Sequence, residues 1–324
     1  MGLVRLALNL LLGVPLLLLA SLCAAAGMGA HLGRTSLDFD LLAHFAPVWL
    51  AGALACVIVG LLTLRGLAQI VIVGIAAGGV VAAGSLIAPE LTRSTGPTAA
   101  ADAPGRIKLV QFNVWAHNRN NVETVDWLER EDPDIAVLEE TTPPLRELIR
   151  ERGRWRIVCP NCEVMVLSRA APIAVGGPAT PPAQGPLTRA TFRDAQGDFT
   201  IIGVHYAWPT DGGDQQAQEA RLAEAIAATP RRRTIVVGDF NSTPWSYARR
   251  RWDEVFGLVR RDRALFTWPA RQSTRMRWLS LVPFLPIDHV YAGRGWATVD
   301  VHRGPKLGSD HYPVVVTLAP VAPH

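Results

Sequence analysis

The chain has 324 residues, a formal net charge of +4 at pH 7 and a pI near 9.1. Its length excludes a long series of domains and leaves room for one membrane region and one sizeable soluble domain. Hydrophobic residues make up 49% of the chain, and the excess lies before residue 89, where the only Lys or Arg residues are Arg5, Arg34 and Arg65. The remaining positive charge is spread out, so it is compatible with an anionic substrate, membrane lipid or nucleic acid without establishing a nucleic-acid-binding module.

Three long apolar stretches occupy this first part of the chain, at residues 3–30, 41–64 and 67–88. Each has the roughly 20 apolar residues that a helix needs to cross a bilayer. We therefore predict a membrane region over residues 1–88 with about three transmembrane helices. An alternative is that residues 3–26 form a cleaved signal peptide, in which case the two later spans still anchor the chain.

The few arginines of the membrane region predict its orientation. Arg5 precedes the first span and Arg65 lies between the second and third, so the positive-inside rule places both in the cytoplasm. The third span then carries the following chain outward. We expect a multi-pass protein of the inner (cytoplasmic) membrane with its soluble domain on the outer, periplasmic side, joined by a linker at residues 89–105 that is rich in Pro, Ala, Thr and Gly.

Residues 106–319 have the composition and patterning of a single soluble domain. The predicted strands are 107–114, 134–138, 154–159, 163–169, 188–193, 199–206, 234–238, 287–292, 296–302 and 312–318, and the predicted helices are 120–131, 143–152, 214–229 and 245–256. Because hairpins are mixed with strand–helix units, this order favours two packed sheets with helices outside over a doubly wound sheet. Two runs of arginine, 231–233 and 249–251, are expected to be solvated faces or rims that attract phosphate.

Two of the four cysteines lie in the soluble domain, as Cys159-Pro-Asn-Cys162. A zinc site would normally need a second pair of ligands, and none follows at a suitable spacing. A redox-active pair lacks the usual neighbouring helix. In an oxidising compartment the pair favours a structural disulfide.

Polar residues recur at the points where apolar strands begin or end. They are Asn113, Glu139, Glu140, His205, Asp239, Asn241, Asp288, His289, Ser309, Asp310 and His311. Each of them taken alone also fits a turn, a cap or a solvated strand end. The ordered set of six such strand ends in one domain is more specific, because strand ends on one rim of a sandwich bring their side chains together.

These residue types suit the cleavage of phosphate esters. A magnesium ion prefers oxygen ligands from one or two carboxylates, a role that fits Glu140. A carboxylate such as Asp239 can activate water, and Asn241 can orient it. A histidine kept protonated by a partner carboxylate can stabilise the charge that develops on phosphorus.

Six short motifs resemble those of the endonuclease/exonuclease/phosphatase superfamily of DNase I-like metal-dependent phosphoesterases. They are Gln-Phe-Asn-Val at 111–114, Leu-Glu-Glu-Thr at 138–141, His205, Gly-Asp-Phe-Asn at 238–241, Ile-Asp-His-Val at 287–290 and Ser-Asp-His-Tyr-Pro at 309–313. The resemblance covers nearly the whole soluble domain. It implies an α/β fold, a four-layer αββα sandwich of two mixed sheets, preceded here by transmembrane helices.

The same resemblance implies a role for each matching residue. Asn113, Glu140 and Asp310 would bind Mg²⁺ or Mn²⁺, Asp239 and Asn241 would position and activate water, and His205 and His311 would contact the scissile phosphate, with Asp288 paired to His311. The family usually has Gln where this chain has Glu139, so we expect an added charge near the metal. The family often has another acidic or aromatic residue near the central strand, and Glu163 is the candidate in this chain.

The resemblance leaves the substrate open. Nucleic acid, a phospholipid headgroup and a phosphorylated metabolite all remain candidates, whereas no obligate protein partner is predicted. Choice among them is expected to lie in loops 207–216 and 262–286, and the latter contains Trp268, Arg271, Arg275, Arg277 and Trp278. These side chains suit either stacking on bases or anchoring at a lipid surface. The alternative from another class is a non-catalytic, membrane-tethered binding module on a retired enzyme fold.

Overall fold

The computed structural model describes residues 2–160, 162–176, 187–270 and 282–321. The chain divides into two compact units. The first comprises Met1–Arg93 together with Thr243–Arg251, and the second comprises Ser94–Ser242 together with Trp252–His324. A short piece of the predicted soluble domain thus belongs to the same compact unit as the apolar helices.

Four α-helices form most of the first unit: α1 (Gly2–Ala30), α2 (Leu37–His44), α3 (Ala46–Thr63) and α4 (Leu67–Thr92). α1, α3 and α4 are long and apolar enough to cross a membrane, as the three apolar stretches predict. These helices approach closely through small residues, since a Cβ added to Gly79 would lie 3.2 Å from the Cα of Ala24. α4 continues four residues beyond Ala88, and the short helix α2 was not predicted.

Among the described residues, the second unit contains twelve strands and the remaining α-helices. The strands are β1 (Ile107–Asn113), β2 (Ile135–Glu139), β3 (Arg156–Val158), β4 (Val164–Ser168), β5 (Ala174–Gly176), β6 (Leu187–Asp194), β7 (Gly197–His205), β8 (Thr234–Asp239), β9 (Val259–Arg260), β10 (Asp288–Ala292), β11 (Trp296–Arg303) and β12 (Val314–Pro320). The helices are α5 (Asn121–Glu131), α6 (Pro143–Arg152), α7 (Gly212–Ala227) and α8 (Tyr247–Phe256), of which α8 begins in the first unit.

The strands form two six-stranded sheets, in the orders β11-β12-β1-β2-β4-β3 and β5-β6-β7-β8-β10-β9. β1 pairs parallel with β2, and β7 pairs parallel with β8, whereas the other pairs are antiparallel. Both sheets are therefore mixed, as predicted. The parallel pairs place the carboxyl ends of four strands at matching levels, with Asn113 opposite Glu139 and His205 opposite Asp239.

Three clusters of buried apolar side chains lie between the layers of this unit. The central one joins the facing sides of the sheets and includes Leu109, Val137 and Val237. A second lies between the first sheet and α5 and α6, around Trp127. A third lies between the other sheet and α7 and includes Leu222. Helix, sheet, sheet and helix layers follow one another, which confirms the predicted four-layer αββα sandwich.

The differences from the predicted elements are small and have local causes. The strand predicted at 154–159 is reduced to β3, and the edge strands β5 and β9 were missed because three and two residues are too few for a periodic pattern. The arginine runs are less solvated than expected, since Arg249 is fully buried and the buried Arg233 guanidinium lies 4.2 Å from the ring centroid of Trp296.

Cys159 and Cys162 form a disulfide, as the Cys-Pro-Asn-Cys spacing favours. Cys23 and Cys56 are free and buried. We expect alkylation of the denatured, unreduced protein to label only Cys23 and Cys56, and to label all four cysteines after reduction, as counted by mass spectrometry. Four labelled thiols without reductant would contradict the disulfide and would weaken the assignment of the domain to an oxidising compartment.

Candidate active site

The candidate site lies at one end of the space between the two sheets. Side chains that point inward alternate along each strand, and the last inward position of several strands is polar instead of apolar. On β1 the inward series runs from Leu109 through Gln111 to Asn113, and on β8 it runs from Val237 to Asp239. Strand alternation therefore directs these polar groups into the same buried volume.

The backbone at this end adopts uncommon conformations. Glu140 and Asn241 both have positive φ, at 55° and 45°. A non-glycine residue in this region carries strain on the order of 1–3 kcal/mol, and such residues concentrate at functional sites. Just before Asp239, a Cβ at Gly238 would lie 1.9 Å from the carbonyl oxygen of Val204, so only glycine fits where β7 and β8 approach.

Asp239, Asp288 and His311 form the buried centre of the site. One ligand atom from each lies within 4.8 Å of the others. His311 Nδ1 is 2.8 Å from Asp288 Oδ2, and His311 Nε2 is 3.5 Å from Asp239 Oδ2. The loop that carries His311 is tied to β1 by the Ser309 hydroxyl, which donates to the Asn113 carbonyl oxygen at 2.7 Å and accepts from the His311 N–H at 3.0 Å.

The electrostatics of the three groups are distinct. Burial raises the pKa of Asp239 to about 6 against the lowering effect of His311. Burial alone would lower the pKa of His311, but Asp288 and Asp239 raise it well above its ordinary value. Burial acts to raise the pKa of Asp288, but contact with His311 outweighs it, so the pKa is lowered. His311 is therefore held as a cation, which suits charge stabilisation better than metal ligation.

Glu140 and Asp239 are joined by the side-chain amide of Asn113. Asn113 Nδ2 donates to Glu140 Oε1 and to Asp239 Oδ2, both at 3.0 Å, while Asn113 Oδ1 accepts the N–H of Trp115. The Ala116 N–H donates to Glu140 Oε2 at 3.0 Å. Burial raises the pKa of Glu140, but these hydrogen bonds outweigh it and lower the pKa, so Glu140 is a carboxylate.

His205, at the end of β7, faces three carboxyl groups. Its Nε2 lies 3.7 Å from Glu140 Oε1 and 3.8 Å from Asp239 Oδ2, and its Nδ1 lies 3.4 Å from Glu163 Oε1. Burial acts to lower the pKa of His205, but Glu163, Asp239 and Glu140 raise it overall. Glu163 thus reaches the site, where the sequence made it only a candidate. Asn241 completes this side, since its Nδ2 donates to the Tyr206 carbonyl at 2.8 Å and its N–H to Asp239.

Asp310 provides a second carboxyl group whose environment suits a cation. Its Oδ2 accepts a hydrogen bond from Trp268 Nε1 at 3.3 Å, whereas its buried Oδ1 has no hydrogen-bond partner among the described residues. Burial raises the pKa of Asp310, and the charge of Glu140 adds to this rise. Two carboxyl groups that repel each other, one with an unsatisfied buried oxygen, fit a hard divalent cation with oxygen ligands.

Glu139 lies in surroundings that disfavour its charged form. As an inward residue of β2 it is fully buried, and burial together with Asp288 and Asp239 raises its pKa well above the ordinary value. Burial therefore opposes the added charge that the replacement of Gln by Glu139 leads us to expect near the metal. Gln111 Nε2 donates to Glu139 Oε2 at 3.0 Å and to Asp288 Oδ1 at 2.7 Å. Gln111 belongs to the motif at 111–114 but was given no role from the sequence, although its position two residues before Asn113 puts it on the same strand face.

A second buried acid–histidine pair supports the turn after β8. His289 Nδ1 lies 2.9 Å from Asp262 Oδ2, and His289 Nε2 lies 2.9 Å from the carbonyl oxygen of Ser242. Asp262 Oδ1 also accepts the N–H of Val290 at 2.9 Å. Asp262 follows no recognisable motif, so its role was not predictable from the sequence. Residues 271–281, with Arg271, Arg275, Arg277 and Trp278 of the predicted specificity loop, lie outside the described residues.

The two packed sheets, with acidic and histidine side chains gathered at their strand ends, are consistent with a phosphoesterase fold. Residues 110–311 match the model of the Endonuclease/Exonuclease/phosphatase family. This match spans more than half of the chain, and the chain belongs to that family. Members of the family are hydrolases that act on phosphodiester bonds and depend on divalent metals. No curated protein has a sequence significantly similar to this chain.

Solved structures with the same fold have low sequence identity to the chain. A functionally unknown conserved protein from Enterococcus faecalis is 15% identical, with a TM-score of 0.54, over 66% of this chain and 100% of that one. TDP2 of D. rerio, complexed with a single-strand DNA product, is 15% identical with a TM-score of 0.53, over 66% and 99%. The 3' phosphatase NExo from Neisseria, bound to a product DNA hairpin, is 22% identical with a TM-score of 0.51, over 65% and 98%.

Proposed function

We propose that the chain is an active, membrane-anchored phosphoesterase that hydrolyses phosphate ester bonds and depends on Mg²⁺ or Mn²⁺. Residues 1–88 would be the membrane region, 89–105 the linker and 106–319 the catalytic domain. The supporting observation is that acidic, histidine and asparagine side chains from six separate strand ends meet in one largely buried cluster around Asp239 and His311. A retired fold would be free to lose members of such a set, and all of them are present.

The metal would be held by Glu140 and Asp310, with Asn113 beside them. When bound, a divalent cation neutralises phosphate oxygens and the charge of the leaving group. Asn113 Nδ2 holds the Glu140 and Asp239 carboxylates in a fixed relation through its two hydrogen bonds. Asn113 would bind the cation through its side-chain oxygen Oδ1. In the structure this oxygen accepts the Trp115 N–H, so the ligand role of Asn113 stays a prediction.

The chain's own residues then divide the work of hydrolysis. Asp239, with a pKa near 6, is largely ionised at neutral pH and basic enough to accept a proton from water. Asn241, fixed by Tyr206, orients that water. The cation of His311, held by Asp288, stabilises the negative charge that grows on the phosphate oxygens. His205, whose Nε2 lies 3.8 Å from Asp239 Oδ2 and whose pKa the neighbouring carboxyl groups raise, would contribute a second positive charge.

We place nucleic acid first among the three predicted substrates. Trp208 is 58% exposed, and its ring lies 6.2 Å from that of Trp268 at 89°. Trp268 in turn donates its indole N–H to Asp310. An exposed tryptophan that packs on a half-buried one next to the proposed metal ligand suits the stacking of a base whose phosphate enters the site.

A substrate screen of the full-length protein in lipid nanodiscs tests this function. A single-stranded oligonucleotide, a lipid headgroup phosphodiester, a sugar phosphate and a small chromogenic phosphodiester would each be supplied with Mg²⁺ or Mn²⁺. We expect the oligonucleotide to be hydrolysed, and Trp208→Ala to raise KM for it while leaving the small phosphodiester unaffected. Turnover of the lipid or sugar ester alone would overturn the substrate class. If none of the esters is hydrolysed, the proposed enzymatic activity is wrong and the alternative, a non-catalytic binding module, is favoured.

We further propose that the catalytic domain lies on the periplasmic side of the inner membrane. Arg5 and Arg65 favour the cytoplasm, and three crossings lead from there to the outside. The first compact unit supports an odd number of crossings. In it, Asp40 of α2, which lies between the first two spans, accepts backbone hydrogen bonds from Tyr247 and Ala248, which follow the third span. Residues in such contact must lie on the same side of a membrane.

A pair of reporter fusions tests this topology. A reporter that is active only in the cytoplasm, fused after His324, should give no signal. A reporter active only in the periplasm, fused at the same position, should be active. When the two reporters are fused at Arg65 instead, the cytoplasmic reporter should be active and the periplasmic reporter silent. A bright cytoplasmic signal after His324 would contradict the orientation.

A further inference from the structure

Residues 239–242, here called the catalytic turn, are followed by chain that belongs to the compact unit of the apolar helices. Thr243–Arg251, here called the docked segment, belongs to that unit, although it begins only two residues after Asn241. Four of its side chains are completely buried: Thr243, Trp245, Ser246 and Arg249. This degree of burial in a stretch rich in polar residues requires specific partners.

Asp40 of α2 is one of these partners. Its Oδ1 accepts the N–H of Tyr247 at 2.7 Å, and its Oδ2 accepts the N–H of Ala248 at 2.8 Å. These are the first two residues of α8, whose N–H groups have no partner within the helix. A carboxylate from another element thus caps the start of α8, where negative charge is favoured. Gly33 leaves the space for it, because a Cβ there would lie 2.7 Å from Asp40 Oδ1.

His44, at the end of α2, holds the beginning of the docked segment. Its Nδ1 accepts the N–H of Thr243 at 3.1 Å and lies 3.1 Å from the Thr243 hydroxyl, and its carbonyl oxygen accepts the Trp245 indole N–H at 3.3 Å. Burial lowers the pKa of His44 to about 4, so the imidazole is neutral at ordinary pH and keeps a lone pair for these bonds. His31 adds a contact of 2.7 Å between its Nδ1 and the Tyr247 hydroxyl.

The catalytic turn is also held by residues of the second unit. His289 Nε2 lies 2.9 Å from the Ser242 carbonyl oxygen, and Asn241 donates to the Tyr206 carbonyl. Ser242 and Thr243 are joined by one peptide bond. Restraints thus act on two consecutive residues, Ser242 through His289 and Thr243 through His44 of α2.

We propose that Asp40 and His44 are positioning residues for catalysis: by holding the docked segment, the loop between the first two membrane helices fixes the turn that carries Asp239 and Asn241. The membrane region would then be part of the scaffold of the active site and not only an anchor. This inference rests on the proposed function.

Kinetics of the full-length protein in nanodiscs provide the first test. His44→Leu removes the acceptor and keeps an apolar side chain, whereas His44→Asn keeps an acceptor oxygen close to the place of Nδ1. Because small misplacements of reacting groups are costly, we expect His44→Leu to lower kcat about 10- to 100-fold with little change in KM. His44→Asn should recover most of the loss. Equal kcat for wild type and His44→Leu, measured per folded protein, would overturn the proposal.

Asp40→Asn has a matched control on the same helix. Asp38 is exposed, so Asp38→Asn makes the same chemical change without touching the docked segment. We expect Asp40→Asn to lower kcat and Asp38→Asn to leave it unchanged. A purely stabilising role of Asp40 would lower the melting temperature and leave kcat per folded protein unaltered, and that outcome would overturn the proposal for Asp40.

Hydrogen–deuterium exchange separates this inference from the proposed function, because it needs no activity. In His44→Leu we expect faster exchange in peptides covering 238–248, including the turn at 239–242, and no change in Asp38→Asn. If wild type proved inactive on every ester and the turn still loosened, the enzyme proposal would fail and the positioning claim would stand. Faster exchange confined to 243–248 would overturn the positioning claim.

Discussion

Replacement of Asp239 by Asn is expected to lower kcat by about 10²- to 10⁴-fold, the usual contribution of a general base. The amide keeps the shape of the side chain and its place beside Asn113, but it cannot accept a proton from water. Because metal binding is assigned to other residues, raising the concentration of Mg²⁺ or Mn²⁺ should not restore the rate. The measurement is kcat against metal concentration for the full-length protein.

Asp198→Asn is the matched control for this change. Asp198 lies on β7 of the same sheet, but its carboxylate is exposed and pairs with Arg193 at 2.6 Å. Exposed ion pairs contribute little, so activity should remain near wild type. Recovery of the Asp239→Asn rate at high metal would show that Asp239 is a metal ligand, and its role and that of Glu140 would have to be exchanged.

Truncation of His311 should be the second most damaging change. Loss of one charge-stabilising group typically lowers kcat about 10²- to 10³-fold, and we expect His311→Ala to fall in this range with little effect on metal affinity. Asp288→Asn should lower kcat in the same way but less, because the histidine remains and only loses the carboxylate 2.8 Å from Nδ1 that favours its charged form.

His302→Ala provides the comparison for His311→Ala, since His302 is an exposed residue of β11. It should be as active as wild type. A variant His311→Ala with normal kcat and weakened metal dependence would contradict charge stabilisation and assign His311 to the metal instead.

Much of the site was predictable because strand alternation and motif order are local properties. Asn113, Asp239 and His205 each end a strand, and pairing of parallel strands brings such ends to one level. The sequence could not supply the environment of each group. Glu139 and Glu140 are adjacent and chemically alike, but the inward face of β2 buries the first, while the positive φ of the second turns it toward Asn113.

The parts that escaped prediction depend on long-range contacts. α2 has only eight residues between two apolar spans, too few for a clear helical period. Its contact with the docked segment joins residues about 200 positions apart, such as His44 and Thr243. Asp262 and Gln111 likewise act through partners that are distant in sequence, His289 and Asp288.

Activity of the full-length protein as a function of metal concentration tests the central claim most directly, with Glu140→Gln beside wild type and Glu147→Gln, an exposed glutamate of α6, as control. Wild type and Glu147→Gln should hydrolyse a phosphodiester only with Mg²⁺ or Mn²⁺ and lose all activity in a chelator. Glu140→Gln should need a higher concentration and recover part of its rate at high Mn²⁺. Full activity in the chelator, or an unchanged metal requirement in Glu140→Gln, would contradict a metal-dependent phosphoesterase that binds its cation through Glu140.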